Sequence, residues 1–246
     1  MYSYMSAVVS KSTIMRLIGD IKEITKNPLE SQGIYYKHDE SNMLNGYAMI
    51  VGPDDTPYQK GFYFFKFNFP TNYPLSPPKV EYLTNDGHTR FNPNLYRNGK
   101  VCLSVLNTWK GDSWTGCQTI SSILLHLCTT LNNEPLCNEP GVSSHHKDYE
   151  SYNSIIKFKN YEVAILAMVQ KKSHIYPTIA DHFGDEMKTI LAKNFPIIIS
   201  NLEKLSVSNP NPETLWTSLY NMRVNIDYNE ILSQCQCEFK KITSVN

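Results

Sequence analysis

Cys102 is the residue of this chain whose type and surroundings best suit covalent chemistry. It lies in the segment FNPNLYRNGKVCLSVLNTW, residues 91–109, eight residues after Asn94. A cysteine thiolate is a strong nucleophile, and a nearby side-chain amide can donate a hydrogen bond to a developing oxyanion. The alternative is a small apolar filler in a strand, because free cysteine is among the most buried residue types. The segment alone leaves both interpretations open.

The local residues limit which cysteine chemistry is possible. An ordinary thiol with a pKa near 8.5 is only about 3% thiolate at pH 7. No histidine lies within residues 91–109 to act as its base. This disfavours a papain-like hydrolase, whose cysteine is paired with a histidine.

Composition and charge restrict the class of protein. The 246 residues allow one sizeable domain with an appendage or two small domains, and 41% apolar with 19% charged residues is ordinary for a globular protein. Lys+Arg and Asp+Glu balance at 23 each, so no overall basic field predicts nucleic acid or a membrane as a partner.

The cysteines and the N-terminal residues predict a reducing compartment. The opening MYSYMSAVVSK does not have the pattern of a signal peptide, and the longest strongly apolar run, VAILAMV at 163–169, is far short of a membrane span. We therefore expect the protein in the cytoplasm, with the nucleus as a second location, and free thiols. Cys235 and Cys237 have one intervening residue, unlike zinc ligands, and no second matching pair exists, so we expect no metal site.

The elements that must position Cys102 are a helix and a meander. Apolar residues at helical spacing predict a helix over 11–27, ended by Asn27-Pro28. Four aromatic and β-branched segments separated by short turns predict an antiparallel meander: GIYYKH, YAMIVG, GFYFFKFNF and PKVEYL. A proline-rich loop joins the third and fourth strands, and a helix is predicted at about 118–131.

The pattern changes after about residue 148, where apolar positions recur at helical spacing. This predicts helices near 149–170, 178–205, 212–223 and 227–242. The fold class is therefore α+β: an N-terminal helix, a four-stranded antiparallel meander, an active-site loop with helices, and an α-helical C-terminal extension.

Five motifs carry a resemblance to a known family. They occur in order and in register over about 130 residues: RLIGDIKEITKNP, GPDDTPYQKGFYFFKFNFP, YPLSPPKV, FNPNLYRNGKVCLSVL and NNEPLCNEPG. Together they resemble the ubiquitin-conjugating enzymes, and the long stretch between Cys102 and Trp114 looks most like the larger, extended members. The resemblance covers about residues 12–160 and implies a catalytic core over 1–160. The helical spacing that follows predicts an α-helical C-terminal extension over 161–246.

The resemblance assigns roles to individual residues. Cys102 matches the cysteine that accepts ubiquitin as a thioester and passes it to a substrate lysine. Asn94 matches the asparagine of the family's His-Pro-Asn, while Asn92 stands where the histidine usually lies, a departure that bears on the order of the loop. From the residues themselves, Asn94 either donates to the oxyanion or ties its own loop together. Glu139 matches a position at the mouth of the site, where its carboxylate would orient an incoming lysine.

The resemblance also implies partners. Arg16 and Leu17 on the first helix, Leu75 in the proline-rich loop, and Trp114 with Thr115 match positions that meet the activating enzyme or a ligase. Leu75 replaces a common phenylalanine, which reduces the apolar contact. The implied partners are ubiquitin or a ubiquitin-like protein, an activating enzyme, a ligase and protein substrates. No cofactor is implied, because the activating enzyme uses the ATP.

The sequence leaves three alternatives open. In the first, the chain carries another ubiquitin-like modifier; in the second, it is an inactive relative that binds ubiquitin as a scaffold. The extension, for its part, either packs on the catalytic core or docks a substrate. Four apolar residues at helical spacing, Ile231, Cys235, Phe239 and Ile242, favour packing.

Overall fold

The computed structural model describes residues 9–243 and begins with the predicted N-terminal helix. Helix α1 spans Lys11–Lys26 and starts at Ser10, whose hydroxyl accepts a hydrogen bond of 3.0 Å from the Thr13 N–H. Such a cap satisfies one of the free N–H groups of the first helical turn. The predicted helix over 11–27 is confirmed.

The meander is a four-stranded antiparallel sheet in the order β1-β2-β3-β4. Its strands are β1 (Ile34–His38), β2 (Asn45–Val51), β3 (Phe62–Asn68) and β4 (Lys79–Tyr82). The register pairs Ala48 with Phe65 and Ile50 with Tyr63. Consecutive strands are neighbours, as short turns require.

One face of the sheet carries the main hydrophobic core. Its side chains alternate along the strands, as at Ala48, Ile50, Tyr63 and Phe65. Helix α2 (Ile120–Thr130) covers this face and begins with a capping box between Thr119 and Ser122. Helix α1 contributes Leu17 and Ile24.

The opposite face of the sheet is buried too. Helix α5 (Tyr176–Ser208) lays an apolar stripe against it, at intervals of three and four residues along the helix. The four sheet residues beneath are Tyr47, Met49, Phe62 and Phe64. Helix α6 (Tyr228–Thr243) adds Ile231 and Cys235 to the same cluster, with Phe239 and Ile242 packed against its edge. The packing interpretation of the extension is therefore confirmed.

A continuous helical segment crosses the predicted boundary between core and extension. Helix α3 (Tyr149–Lys159) runs into a π-helical segment (Asn160–Leu166) and then into α4 (Ala167–Val169). The Asn160 side chain accepts from Tyr63 Oη at 2.8 Å and donates to the Gln59 carbonyl at 2.9 Å. A π-helical segment and a buried polar contact thus lie at the predicted boundary, and the division into a core over 1–160 and an extension over 161–246 stays a prediction.

The predicted helix over 212–223 is wrong. Residues 213–226 form a hairpin of β5 (Glu213–Thr217) and β6 (Met222–Ile226), joined by a 3-10 turn (Leu219–Asn221). Tyr220 and Asn221 have left-handed φ values of 65° and 46°. The helical spacing of the apolar residues misled the prediction, and no glycine signals this turn.

The remaining helices follow the prediction closely. The interval 178–205 lies within α5, and 227–242 corresponds to α6. Short 3-10 turns occupy Glu30–Gln32, Ser104–Leu106 and Pro135–Asn138. Among the helices of residues 9–243, none is long and apolar enough to cross a membrane.

Candidate active site

Two hydrogen bonds, one between backbone groups and one from a side chain, join Cys102 to Asn94. The Cys102 N–H donates to the Asn94 carbonyl at 2.9 Å, and Asn94 Nδ2 donates to the Cys102 carbonyl at 2.7 Å. Both residues are buried, and Cys102 is only 1% exposed. Asn94 thus ties its own loop together, as one of its two interpretations expected, and its catalytic role stays a prediction. An amide nitrogen carries two hydrogens, so this contact leaves one for another acceptor.

Asn92, which stands in place of the family's histidine, organises this loop. It is fully buried, and its Nδ2 donates to Tyr58 Oη and to the Thr130 carbonyl, both at 2.8 Å. Its Oδ1 accepts from the Asn94 N–H at 3.0 Å and from Asn138 Nδ2 at 3.3 Å. A primary amide can fill both roles because it donates and accepts at once. The departure from histidine therefore leaves the loop ordered.

Asn92→Ala is expected to lower the free energy of unfolding by about 2–4 kcal/mol, because several buried polar groups lose a partner together. Urea denaturation would measure the loss. The matched control is Asn98→Ala in the same loop, an exposed asparagine whose Oδ1 accepts from the Lys100 N–H at 3.2 Å. That variant is expected to lose less than about 1 kcal/mol. Equal losses in the two variants would contradict a central role for Asn92.

Glu139 lies at the end of the 3-10 turn Pro135–Asn138 and is half-buried. Its neighbour Asn138 reaches the active-site loop through the contact with Asn92. The Glu139 carboxylate accepts a short hydrogen bond from Tyr220 Oη of the hairpin. Burial, and then this bond to a carboxylate, raise the pKa of the Tyr220 phenol well above its usual range, so it acts as a donor.

Sequence reasoning missed the residues that surround Tyr220. Arg90 is buried, and its guanidinium carbon lies 3.2 Å from the centroid of the Tyr96 ring and 5.1 Å from that of Tyr220. Arg90 also donates to the carbonyls of Asn92 and Pro93 at 3.1 and 2.7 Å. Tyr220 lies in the segment 212–223, for which the sequence predicts a helix. Nothing in the sequence therefore placed Tyr220 beside the Asn94–Cys102 loop.

The predicted partner-binding residues fall into two groups. Leu75 is 83% exposed and Thr115 is exposed, whereas Leu17 is 0% and Trp114 8% exposed. Leu17 packs in the main core, and Trp114 Nε1 donates to the Pro74 carbonyl at 2.7 Å. In the folded chain the side chains of Leu17 and Trp114 thus support this surface from beneath, and their role in partner binding stays a prediction.

Arg16 joins helix α1 to the loop that follows Trp114. Its Nη1 and Nη2 donate to the carbonyls of Gly116 and Gln118, both at 2.5 Å, and its Nε pairs with Asp20 Oδ1 at 2.9 Å. Its side chain is 24% exposed. Most of its donors are therefore used within the chain, and its partner role stays a prediction.

The six cysteines differ strongly in access. Cys117 and Cys237 are exposed, Cys128 and Cys137 are half-buried, and Cys102 and Cys235 are buried. Burial raises the pKa of the Cys128 thiol; at Cys137, burial and then the nearby Glu134 do the same. Burial, reinforced by Glu238, raises the pKa of Cys235 to about 12. Within residues 9–243, no three His, Cys, Asp or Glu side chains group together as metal ligands.

Native alkylation at pH 7.5 is expected to modify Cys117 and Cys237 first and Cys235 last. At a pKa of about 12, only about 1 in 30,000 Cys235 thiols is ionised at that pH. Cys102 should also react slowly, because its surroundings must open first. Peptide mapping over time would give the order, and alkylation in denaturant is the control for all six. Labelling of Cys102 as fast as Cys117 would show an open site in solution.

The comparisons with known proteins place this arrangement in a family. The family model described as "Ubiquitin-conjugating enzyme" matches residues 16–161, which hold the sheet, helix α2 and the Asn94–Cys102 loop. The chain belongs to the ubiquitin-conjugating enzyme family. The resemblance of the five motifs and the α+β fold class are confirmed.

Relatives of this ubiquitin-conjugating enzyme family member include proteins named ubiquitin-conjugating enzyme E2 Z. The Xenopus tropicalis protein is 37% identical over 189 residues, covering 76% of this chain and 57% of the relative. The human protein is 41% identical over 162 residues, covering 65% of this chain and 45% of the relative. A Caenorhabditis elegans protein, probable ubiquitin-conjugating enzyme protein 17, is 36% identical over 173 residues, covering 65% and 24%. The chain thus spans about half the length of the E2 Z relatives.

Proposed function

We propose that this chain carries ubiquitin, or a ubiquitin-like modifier, as a thioester on Cys102 and transfers it to a substrate lysine. One observation carries the proposal: the family's cysteine and asparagine positions are joined by two hydrogen bonds in one buried loop. A filler cysteine needs no such asparagine. The same loop is fastened to the core through Asn92.

The first step is transthiolation. The Cys102 thiolate attacks the carbonyl carbon of the modifier's thioester on the activating enzyme. The bond to the activating enzyme's sulfur then breaks, and that sulfur leaves as a thiolate. Since Cys102 is 1% exposed, its surroundings must open locally before the modifier's C-terminus can reach it.

The second step forms an isopeptide bond. A neutral lysine amine attacks the thioester carbonyl, the bond to Cys102 Sγ breaks, and the surplus proton of the amine passes to water. The carbonyl oxygen carries negative charge in the intermediate, and the second hydrogen of Asn94 Nδ2 is the donor proposed for it. Glu139 attracts and orients the incoming ammonium before its proton is lost. Its charge disfavours the neutral amine, so desolvation must lower the lysine pKa.

The partners of this reaction are also proposals. They are an activating enzyme, which consumes the ATP, a ligase, and protein substrates in the cytoplasm or nucleus. Met15 on helix α1 and Leu75 in the proline-rich loop have exposed apolar side chains that a partner could cover.

A loading assay tests the proposal. The protein is incubated with Mg-ATP, a panel of purified activating enzymes, and ubiquitin or another ubiquitin-like modifier, and is analysed by intact mass. The expected product is a one-modifier adduct that thiol reductant removes, and the modifier that forms it identifies the cargo. Binding of ubiquitin by the folded protein with no adduct from any pair would instead support the scaffold alternative.

A further inference from the structure

The tip of the C-terminal hairpin, residues 218–221, contacts two segments of the catalytic core. Tyr220 Oη donates to Glu139 Oε2, and the Tyr220 backbone carbonyl accepts from Arg97 Nη2. Arg97 lies three residues after Asn94. One tyrosine of the extension therefore contacts both the turn that carries Glu139 and the loop that carries Asn94.

A second anchor fixes the tip on the catalytic core. Asp148 Oδ2 accepts from Ser218 Oγ and from the Leu219 N–H, both at 2.7 Å. Asp148 is buried; burial raises its pKa, yet these hydrogen bonds outweigh burial and hold the pKa below its usual value. The carboxylate is therefore charged at neutral pH and accepts both bonds strongly.

The backbone of the tip is held in an unfavourable conformation. Tyr220 has a φ of 65°, in the left-handed region that a large side chain rarely adopts, whereas Asn221, at a φ of 46°, is of a type that tolerates this region. Such residues persist where surrounding contacts determine the conformation, and they concentrate at functional sites. Here the contacts are those of Asp148 and Arg97 with the tip.

The Tyr220 ring is fixed from the side as well. Its centroid lies 5.9 Å from that of Tyr152 and 5.1 Å from the Arg90 guanidinium carbon. Arg90 in turn donates to the carbonyls of Asn92 and Pro93, immediately before Asn94. The position of the phenol is thus set relative to the loop of Cys102.

We infer that Tyr220 is a positioning residue for the transfer step, acting through Glu139. This inference rests on the proposed function. A glutamate side chain has three rotatable bonds, and one fixed donor on Oε2 restricts the direction of the carboxylate. Oε1 then accepts from the incoming lysine ammonium at a fixed position. Orientation of this kind raises the rate of transfer. The C-terminal extension is in this sense part of the active site.

Tyr220→Phe tests the inference, because it keeps the ring and removes only the O–H. Loading of Cys102 from the activating enzyme should proceed at the wild-type rate. Single-turnover discharge of the thioester to free lysine should slow about tenfold, as expected for loss of one orienting hydrogen bond to a charged group. Glu139→Gln should slow discharge as well. Thr214→Ala, at the exposed far end of the hairpin, is the matched control and should discharge like wild type.

The double variant distinguishes positioning from general support. If Tyr220 acts through Glu139, Tyr220→Phe adds no further loss in the Glu139→Gln background. Equal factors in both backgrounds would show a structural effect and overturn the inference, as would wild-type discharge by Tyr220→Phe. Wild-type protein that loads with no modifier would remove the proposed function and this inference together, whereas normal loading with unaffected discharge removes the inference alone.

Discussion

Cys102→Ala is expected to reduce the modifier adduct to below about 1% of the wild-type level, because no other group replaces the nucleophile. Cys102→Ser should form an adduct slowly, as an oxygen ester that thiol reductant does not cleave. Both substitutions are small and fit the buried space of the cysteine, which is 1% exposed. Intact mass before and after reductant measures each outcome.

Cys117→Ser is the matched control for this pair. Cys117 is an exposed cysteine in the loop clamped by Arg16, and its thiol is reached by solvent far more readily than that of Cys102. The control variant should load like wild type. Loading that survives in Cys102→Ala but is lost in Cys117→Ser would move the nucleophile to Cys117 and refute the proposed assignment.

Phe183→Ala is expected to lower the free energy of unfolding by about 3–5 kcal/mol, the usual cost of removing a buried aromatic ring. Phe183 is 1% exposed, its ring lies 5.9 Å from that of Phe64, and the Lys37 ammonium lies 5.8 Å from its centroid. The ring thus joins helix α5 to the second face of the sheet. Urea denaturation at constant pH measures the change.

Val207→Ala on the same helix is the control for Phe183. Val207 is 81% exposed, so its truncation should change stability by about 0.5 kcal/mol or less. A similarly small effect of Phe183→Ala would mean that α5 does not pack on the sheet in solution. The apolar face of the extension would then be free to dock another molecule.

The amino-acid sequence by itself determined the elements whose signals are local. Helix α1, the four strands and helices α2, α5 and α6 follow from apolar periodicity and from proline and glycine turns, which act within a few residues. The Cys102 and Asn94 pair could also be predicted, because both lie in one short motif. The packing of helix α6 could also be predicted, from the helical spacing of Ile231 and Cys235.

Only the tertiary structure decided which residues surround that motif. The hairpin over 213–226 depends on left-handed residues without glycine, and its tip is held by Asp148 and Arg97, both distant in sequence. The hydrogen bonds of Asn92 to Tyr58 and Thr130 likewise span tens of residues. Long-range contacts of this kind leave no periodic trace in the chain.

The accessibility of the site residues was a second property that the sequence could not determine. Leu17 and Trp114 match partner-contact positions by motif, yet both are buried, and Arg16 donates within the chain to two backbone carbonyls and to Asp20. Exposure depends on every element packed around a residue, and here the extension also covers a sheet face. A motif therefore predicts the chemistry, while packing decides which of its side chains are exposed.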